Sequence, residues 1–310
     1  MTSNNAGVPE DINQTVHSES PRAATSWIAP ILDDLRSWPV NTWLVTALVL
    51  LLYIPVLAET IPYWLAQETY SFCILIGPIS LALIILLHQQ VRGTTKSPSV
   101  LGFWVAVVGV VLEWAGWYLR VRFIAMAALP VVISGAVIAL HGMPLWRKLR
   151  FPLAFLLFAA PIPEPVLTPT DVMAQRISTI GAQWIMQFLG FAIVREGSVL
   201  QVPGMALNVA EACSGFKKLI AFFCFAVLYG WFFNLPRGKW ILLIIVSFPI
   251  ALAANIIRIA GLVALATWFG AHVEAVAHEY ADYFVIALSC VLFVSVGRRL
   301  GCEKTRFSQD

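Results

Sequence analysis

One cysteine stands where a thiol could react. Glu211-Ala212-Cys213-Ser214-Gly215-Phe216-Lys217-Lys218 opens a long apolar run. A thiol at a helix amino terminus feels the positive end of the macrodipole, which lowers its pKa and raises its thiolate fraction. Lys217, one turn on, shares a helical face with Cys213 and adds positive charge. Glu211 and Ser214 complete a polar surround that the other cysteines lack. Cys73, Cys224 and Cys290 lie inside apolar runs and Cys302 lies in the carboxy-terminal tail; there a thiol serves as a small hydrophobe.

Two further segments carry groups that could act with it. In Pro249-Ile250-Ala251-Leu252-Ala253-Ala254-Asn255-Ile256-Ile257-Arg258, Arg258 sits well inside an apolar run, where a charge costs several kcal/mol unless it faces a partner or a wet cavity. Two readings stand side by side. One is a structural ion pair, for instance with Glu113. The other is a fixed cation that stabilises a thiolate, an oxyanion or a substrate carboxylate. Asn255 and Arg258, three residues apart, share a face and could act on one ligand. The second segment is Ala277-His278-Glu279-Tyr280. A neutral imidazole near a thiol is what a general base or thiolate partner requires; standing alone, His278 reads equally as an interfacial histidine held by a lipid headgroup. His272, nearby, reads as an interfacial histidine.

Other chemistries fail on residue type. The chain has no His-Glu-x-x-His or comparable zinc spacing and no phosphate-cradling glycine loop, so no cofactor is expected. One outward cysteine is too few for a disulfide generator.

The elements that must position these groups follow from composition. Of the residues, 59% are hydrophobic and only 12% charged, about half the charged fraction of a soluble domain, and the mean hydropathy is +0.81. Such a chain cannot build a water-exposed surface. A soluble enzyme, a secreted disulfide scaffold and a disordered chain are excluded, and a net charge of +3 implies no nucleic-acid partner. Several apolar runs approach the ~20 residues that cross a bilayer. Spans are expected near 41–59, 72–90, 100–119, 123–141, 151–163, 213–234, 240–269 and 281–297. Residues 171–193, with polar and apolar side chains interleaved, suit a helix at the membrane interface. Alternation around Val199 and Leu200 between glycines predicts a short β-hairpin. The fold class is therefore an all-α polytopic membrane protein of about eight transmembrane helices with a short β-hairpin-like loop. Residues 1–38 form a polar tail, 39–298 the membrane domain and 299–310 a basic tail.

Basic residues assign the sides. Arg92, Lys96, Arg147, Lys148, Arg150, Arg237, Lys239, Arg298, Arg299, Lys304 and Arg306 fall on one side, against Arg120, Arg122 and Arg195 on the other. The rich side is expected to be cytoplasmic, with both termini. The segments 164–212 and 270–280 then face outward as loops, and His278 enters the last span at the level where Cys213 enters the sixth.

Cys213-Ser214-Gly215, Asn255-x-x-Arg258 and His278, in this order on this topology, resemble the exosortase/archaeosortase family. Arg195-Glu196-Gly197, Pro203-Gly204 and Pro161-Ile162-Pro163 add to the likeness, which covers roughly residues 40–297. The resemblance implies an integral-membrane cysteine protease or transpeptidase in the inner membrane of a bacterium, with its active site on the periplasmic face. Its substrates would be exported proteins with a carboxy-terminal sorting signal: a Pro-Glu-Pro-like motif, a transmembrane helix and a basic cluster. It assigns Cys213 as nucleophile, Arg258 as the transition-state cation and His278 as acid/base partner, with Asn255, Lys217, Ser214 and Glu211 in support. The histidine favours the bacterial branch. Phe216-Lys217-Lys218 departs from the small aliphatic followed by Arg of many relatives; charge is kept and bidentate geometry lost, which bears on substrate preference. Membrane lipid and exopolysaccharide-assembly proteins are the further partners expected. The alternative is a transporter or flippase of an envelope polysaccharide export machinery, with Arg258 and Glu113 lining a path.

Overall fold

The computed structural model describes residues 33, 34, 36, 38–203, 205–208, 216–302 and 305–307, without the side chains of residues 68, 205, 207, 208, 216–218, 271–276, 278, 279 and 282. The chain divides into two compact units, residues 1–45 and 46–310. In the first, Trp38 and Trp43 lie 5.8 Å apart, ring to ring, at the start of helix α1 (Val40–Ala66). In the second, α1 continues, and a 3₁₀ turn (Glu68–Tyr70) leads to α2 (Cys73–Leu86) and the short α3 (His88–Val91). Then follow α4 (Val100–Tyr118), α5 (Arg122–Leu140), α6 (Met143–Phe155), a second 3₁₀ turn (Leu156–Ala159) and α7 (Glu164–Phe188). Strands β1 (Val194–Glu196), β2 (Val199–Val202) and β3 (Met205–Asn208) precede α8 (Phe216–Phe232), α9 (Arg237–Phe269) and α10 (Ala271–Leu300).

Five helices among the described residues are long and apolar enough to cross a bilayer: α1, α4, α5, α9 and the Tyr283–Leu300 part of α10. A sixth is reached if α6 and α7 count as one broken span. The eight expected spans are thus not all matched. The runs at 72–90 and 213–234 do form apolar helices, but α2 has 14 residues, about 21 Å against the ~30 Å of a hydrocarbon core. The expected span at 151–163 is replaced by a bend. Its helix starts earlier, at Met143, and α6 with its 3₁₀ turn meets α7 at 81°. Pro161 and Pro163, which lack amide donors and so kink or break a helix, occupy the corner. Helix α7 accordingly begins at Glu164 rather than near 171.

The loop expected at 270–280 is a turn of one residue. Gly270, at φ 86° and ψ 168°, takes a conformation open to glycine and costly for other residues, and the helix resumes at Ala271. Hydropathy marks where a helix is apolar and not where it ends, so the polar first turns of α10 read as loop. The hairpin, by contrast, forms as expected and gains a strand: the sheet order is β1-β2-β3, antiparallel throughout.

Helices α4 and α5 make the closest pairing. Gly102, Gly109 and Gly116 recur every seventh residue and face Ala139, Val132 and Ala125, while Gly135 faces Ala106. Without competing hydrophobic drive in lipid, small residues that let backbones touch are what hold helices together. A Cβ on Gly109 would lie 2.6 Å from Val132 Cγ2. Gly109→Leu should therefore destabilise the protein by about 1–3 kcal/mol or more, read as a lower melting temperature in detergent. An equally bulky change at lipid-facing Val108 should leave it unchanged.

Basic segments gather at one end of the second unit. Lys148 donates to Gln90 O and Thr94 Oγ1 at 2.6 and 3.0 Å. Arg306 donates to Trp231 O and Asn234 Oδ1 at 3.0 and 2.8 Å and stacks on the Trp231 ring. Cys302 is buried in this tail, and burial pushes its thiol up.

Candidate active site

Arg258 and Asn255 lie on α9, 3% and 0% exposed. Their turn is held by two neighbours. Helix α7 runs parallel to α9, with Asn255 Nδ2 donating to Ser178 Oγ at 3.0 Å. One turn further, Gly181 leaves space for Ile256, whose Cδ1 would be 2.6 Å from any Cβ there. Beyond it Ala182 and Met186 of α7 pack with Ile259, Ala260 and Val263 of α9.

The sheet closes the same cluster. Leu200 and Val202 of β2 turn inward into it while Gln201 faces out, as strand alternation requires. Gly197, at φ 63°, makes the tight β1–β2 turn. Gln201 Nε2 donates to Glu196 Oε2 at 2.9 Å, and Arg195 Nη1 to Gly197 O at 2.6 Å. The expected Arg195-Glu196-Gly197 feature is thus a hairpin corner braced by its own side chains. The sheet carries the chain from the end of α7 to Asn208.

Helix registers set the level of the remaining groups. Along α8 and α9, Gly230 packs under Trp240 and Phe223 lies 5.7 Å from Phe248, ring to ring. Following this antiparallel register puts Phe216, the first described residue of α8, level with residues 253–255. Along α9 and α10, Leu243 clusters with Phe293 and a Cβ on Gly301 would lie 3.6 Å from Lys239 Nζ. The same step puts Arg258 level with residues 278–282. The start of α8, the Arg258 turn of α9 and the His278 turn of α10 therefore share one level.

Of the expected site residues, Arg258 and Asn255 are thus fully described. Lys217 stands in the first turn of α8, and His278 and His272 on α10 instead of in a loop, each with its side chain outside the described atoms. Cys213, Ser214 and Glu211 lie outside the described residues. Cys73, Cys224 and Cys302 are buried free thiols and Cys290 is half-buried, in keeping with a packing role.

The structural ion pair weighed for Arg258 is not with Glu113. Glu113 is 4% exposed on the α5-facing side of α4, and its Oε2 has no hydrogen-bond partner among the described residues. Ser178 is the residue that sequence reasoning missed. The signal was present: Ala174, Ser178, Ala182 and Met186, at helical spacing, form the buried stripe of α7. Ser178→Ala should leave a buried amide donor without this acceptor, a loss of about 1–3 kcal/mol, whereas Ser178→Thr, which keeps the hydroxyl, should melt closer to the parent.

Among curated proteins and solved structures nothing matches the chain. A family model described as transmembrane exosortase matches residues 64–295, a stretch that holds the sheet, the start of α8, Asn255, Arg258 and His278. With well over half of its length matched and its helices apolar enough to cross a bilayer several times, the chain is a multi-pass membrane protein that belongs to the transmembrane exosortase family.

Proposed function

We propose that the protein is an integral-membrane cysteine protease or transpeptidase that removes the carboxy-terminal sorting signal of exported proteins through a thioester on Cys213. Family membership supports a membrane protease or transpeptidase. The observation that carries the finer reading is the common level of the α8 start, Arg258 and the His278 turn. Cys213 precedes Phe216 by three residues, a reach of about 11 Å at full extension.

In this reading the Cys213 thiolate attacks the scissile carbonyl, and Arg258 stabilises the oxyanion. The tetrahedral intermediate collapses to a thioester as the peptide C–N bond breaks, and His278 gives its proton to the leaving amine. An amine or water then attacks the thioester and releases Cys213 as thiolate, its own proton passing to His278. Asn255, Lys217, Ser214 and Glu211 support the geometry. The gathering of basic segments at one end of the second unit supports reading that end as cytoplasmic; in this reading both termini are cytoplasmic and the site is at the periplasmic face of the inner membrane. Exported proteins with a Pro-Glu-Pro-like tail are the partners, with exopolysaccharide-assembly proteins as neighbours. The transporter alternative needs a path lined by Arg258 and Glu113, and no observation pairs them.

The test is co-expression with a tagged exported protein bearing such a tail. Loss of the tail on a gel, with a hydroxylamine-sensitive adduct between enzyme and the tagged fragment, is expected. Intact substrate across several tail sequences, with the enzyme inserted and no adduct, would overturn the proposal.

A further inference from the structure

A cavity of about 630 Å³ opens among α2, α6, α8 and α9, walled by Cys73, Phe151, Leu219, Phe223 and Val227 with Tyr70 at one end. Its wall offers almost nothing polar. The Tyr70 hydroxyl donates to Ile162 O at 2.9 Å and the Cys73 thiol to Phe158 O at 3.5 Å. The indole nitrogen of Trp240, another wall residue, is turned onto Gly230.

Size and polarity decide what can occupy it. A helix with side chains is 10–12 Å across, so one turn takes about 400–600 Å³, and the cavity would hold little more than a turn. An extended peptide would leave its amides and carbonyls without partners, which hydrocarbon surroundings do not tolerate. Water needs two to four polar contacts that this wall lacks. A single hydrocarbon chain meets every condition: at about 30 Å³ per water-sized group, the space takes about 20 methylenes. The rim points to the source. Among the residues that line the cavity, Phe123, Leu157 and Phe248 are 40%, 46% and 44% exposed. Phe248 lies on spanning helix α9 and Phe123 on spanning helix α5, so the cavity is continuous with the surface that faces lipid.

We infer that this cavity is a binding site for one acyl chain of a membrane phospholipid, held as a resident wedge between α2, the α6–α7 bend and α8. The chain packs along α8 through Leu219, Phe223 and Val227, directly below the turn that opens the helix. It takes the place of protein side chains beside α2, whose 14 residues are too short to cross the hydrocarbon core by themselves. The inference rests on the fold and not on the Cys213 chemistry, and its test needs no substrate.

The full-length protein would be reconstituted in vesicles of dioleoyl phosphatidylglycerol, extracted in mild detergent, stripped by repeated exchange and weighed by native mass spectrometry. A persistent adduct of one phospholipid mass per chain is expected. Val227→Trp and Ala154→Phe, which fill the cavity from opposite walls, should each remove that adduct while helical circular dichroism is kept. Two variants guard against one simply failing to fold. A wild-type protein without the adduct, an adduct unaffected by both filled variants, or an adduct whose mass is that of detergent would overturn the inference.

Discussion

Cys213→Ala is expected to abolish removal of the sorting signal, with a fall in rate of at least about 10⁴-fold, the scale on which a covalent nucleophile is missed. The variant should still insert, and purified protein should melt within about a degree of the parent, since one sulfur atom is lost and no spanning helix changes. Cys213→Ser should be nearly as inactive. A hydroxyl lacks the thiol's accessible anion, and a cation that stabilises a thiolate does little for a group so much harder to ionise. The measurement is the fraction of tagged substrate processed over time, beside a maleimide assay for an outward-facing reactive thiol that disappears with Cys213. Processing by Cys213→Ala at a rate near wild type would remove the thioester and leave the protein in want of another nucleophile.

The second large effect concerns Arg258. In the proposed mechanism Arg258 faces the developing oxyanion, so Arg258→Ala should lower cleavage by about 10²–10³-fold. Arg258→Lys separates charge from shape. Lysine keeps the positive charge but offers a compact ammonium in place of a planar fork of donors, so it should restore part of the rate and not all. Burial makes the stability readout necessary: Arg258 is 3% exposed, and both variants must be compared for melting temperature and yield. If Arg258→Lys melts like the parent but cleaves far more slowly, the guanidinium acts in the chemistry. If both variants lose rate only in proportion to folded protein, Arg258 is a packing residue.

Much of this molecule is written locally in its sequence. Apolar runs of sufficient length identify α1, α4, α5 and α9, because in lipid a segment must satisfy its own backbone and a helix does so alone. The alternation around Leu200 gives the hairpin, and the three-residue spacing of Asn255 and Arg258 gives a shared face whatever packs upon it. Membership in the family was legible too, in Cys213-Ser214-Gly215, Asn255-x-x-Arg258 and His278, since short ordered motifs survive without knowledge of their surroundings.

What depended on partners was not legible. Nothing near Asn255 in sequence names Ser178, 77 residues away, and nothing near Glu113 says that it is buried on α4 without Arg258 as its partner. The α6–α7 bend reads as a span until its 81° corner is seen, because hydropathy counts residues without direction. The extension of α10 back to Ala271 escaped for the same reason: polar residues are allowed in a helix once it leaves the hydrocarbon, and only the turn at Gly270 shows where it begins. Local physics dictates which segments are helices and which residues could react; which faces meet, and at what level, is settled by packing between segments far apart in the chain.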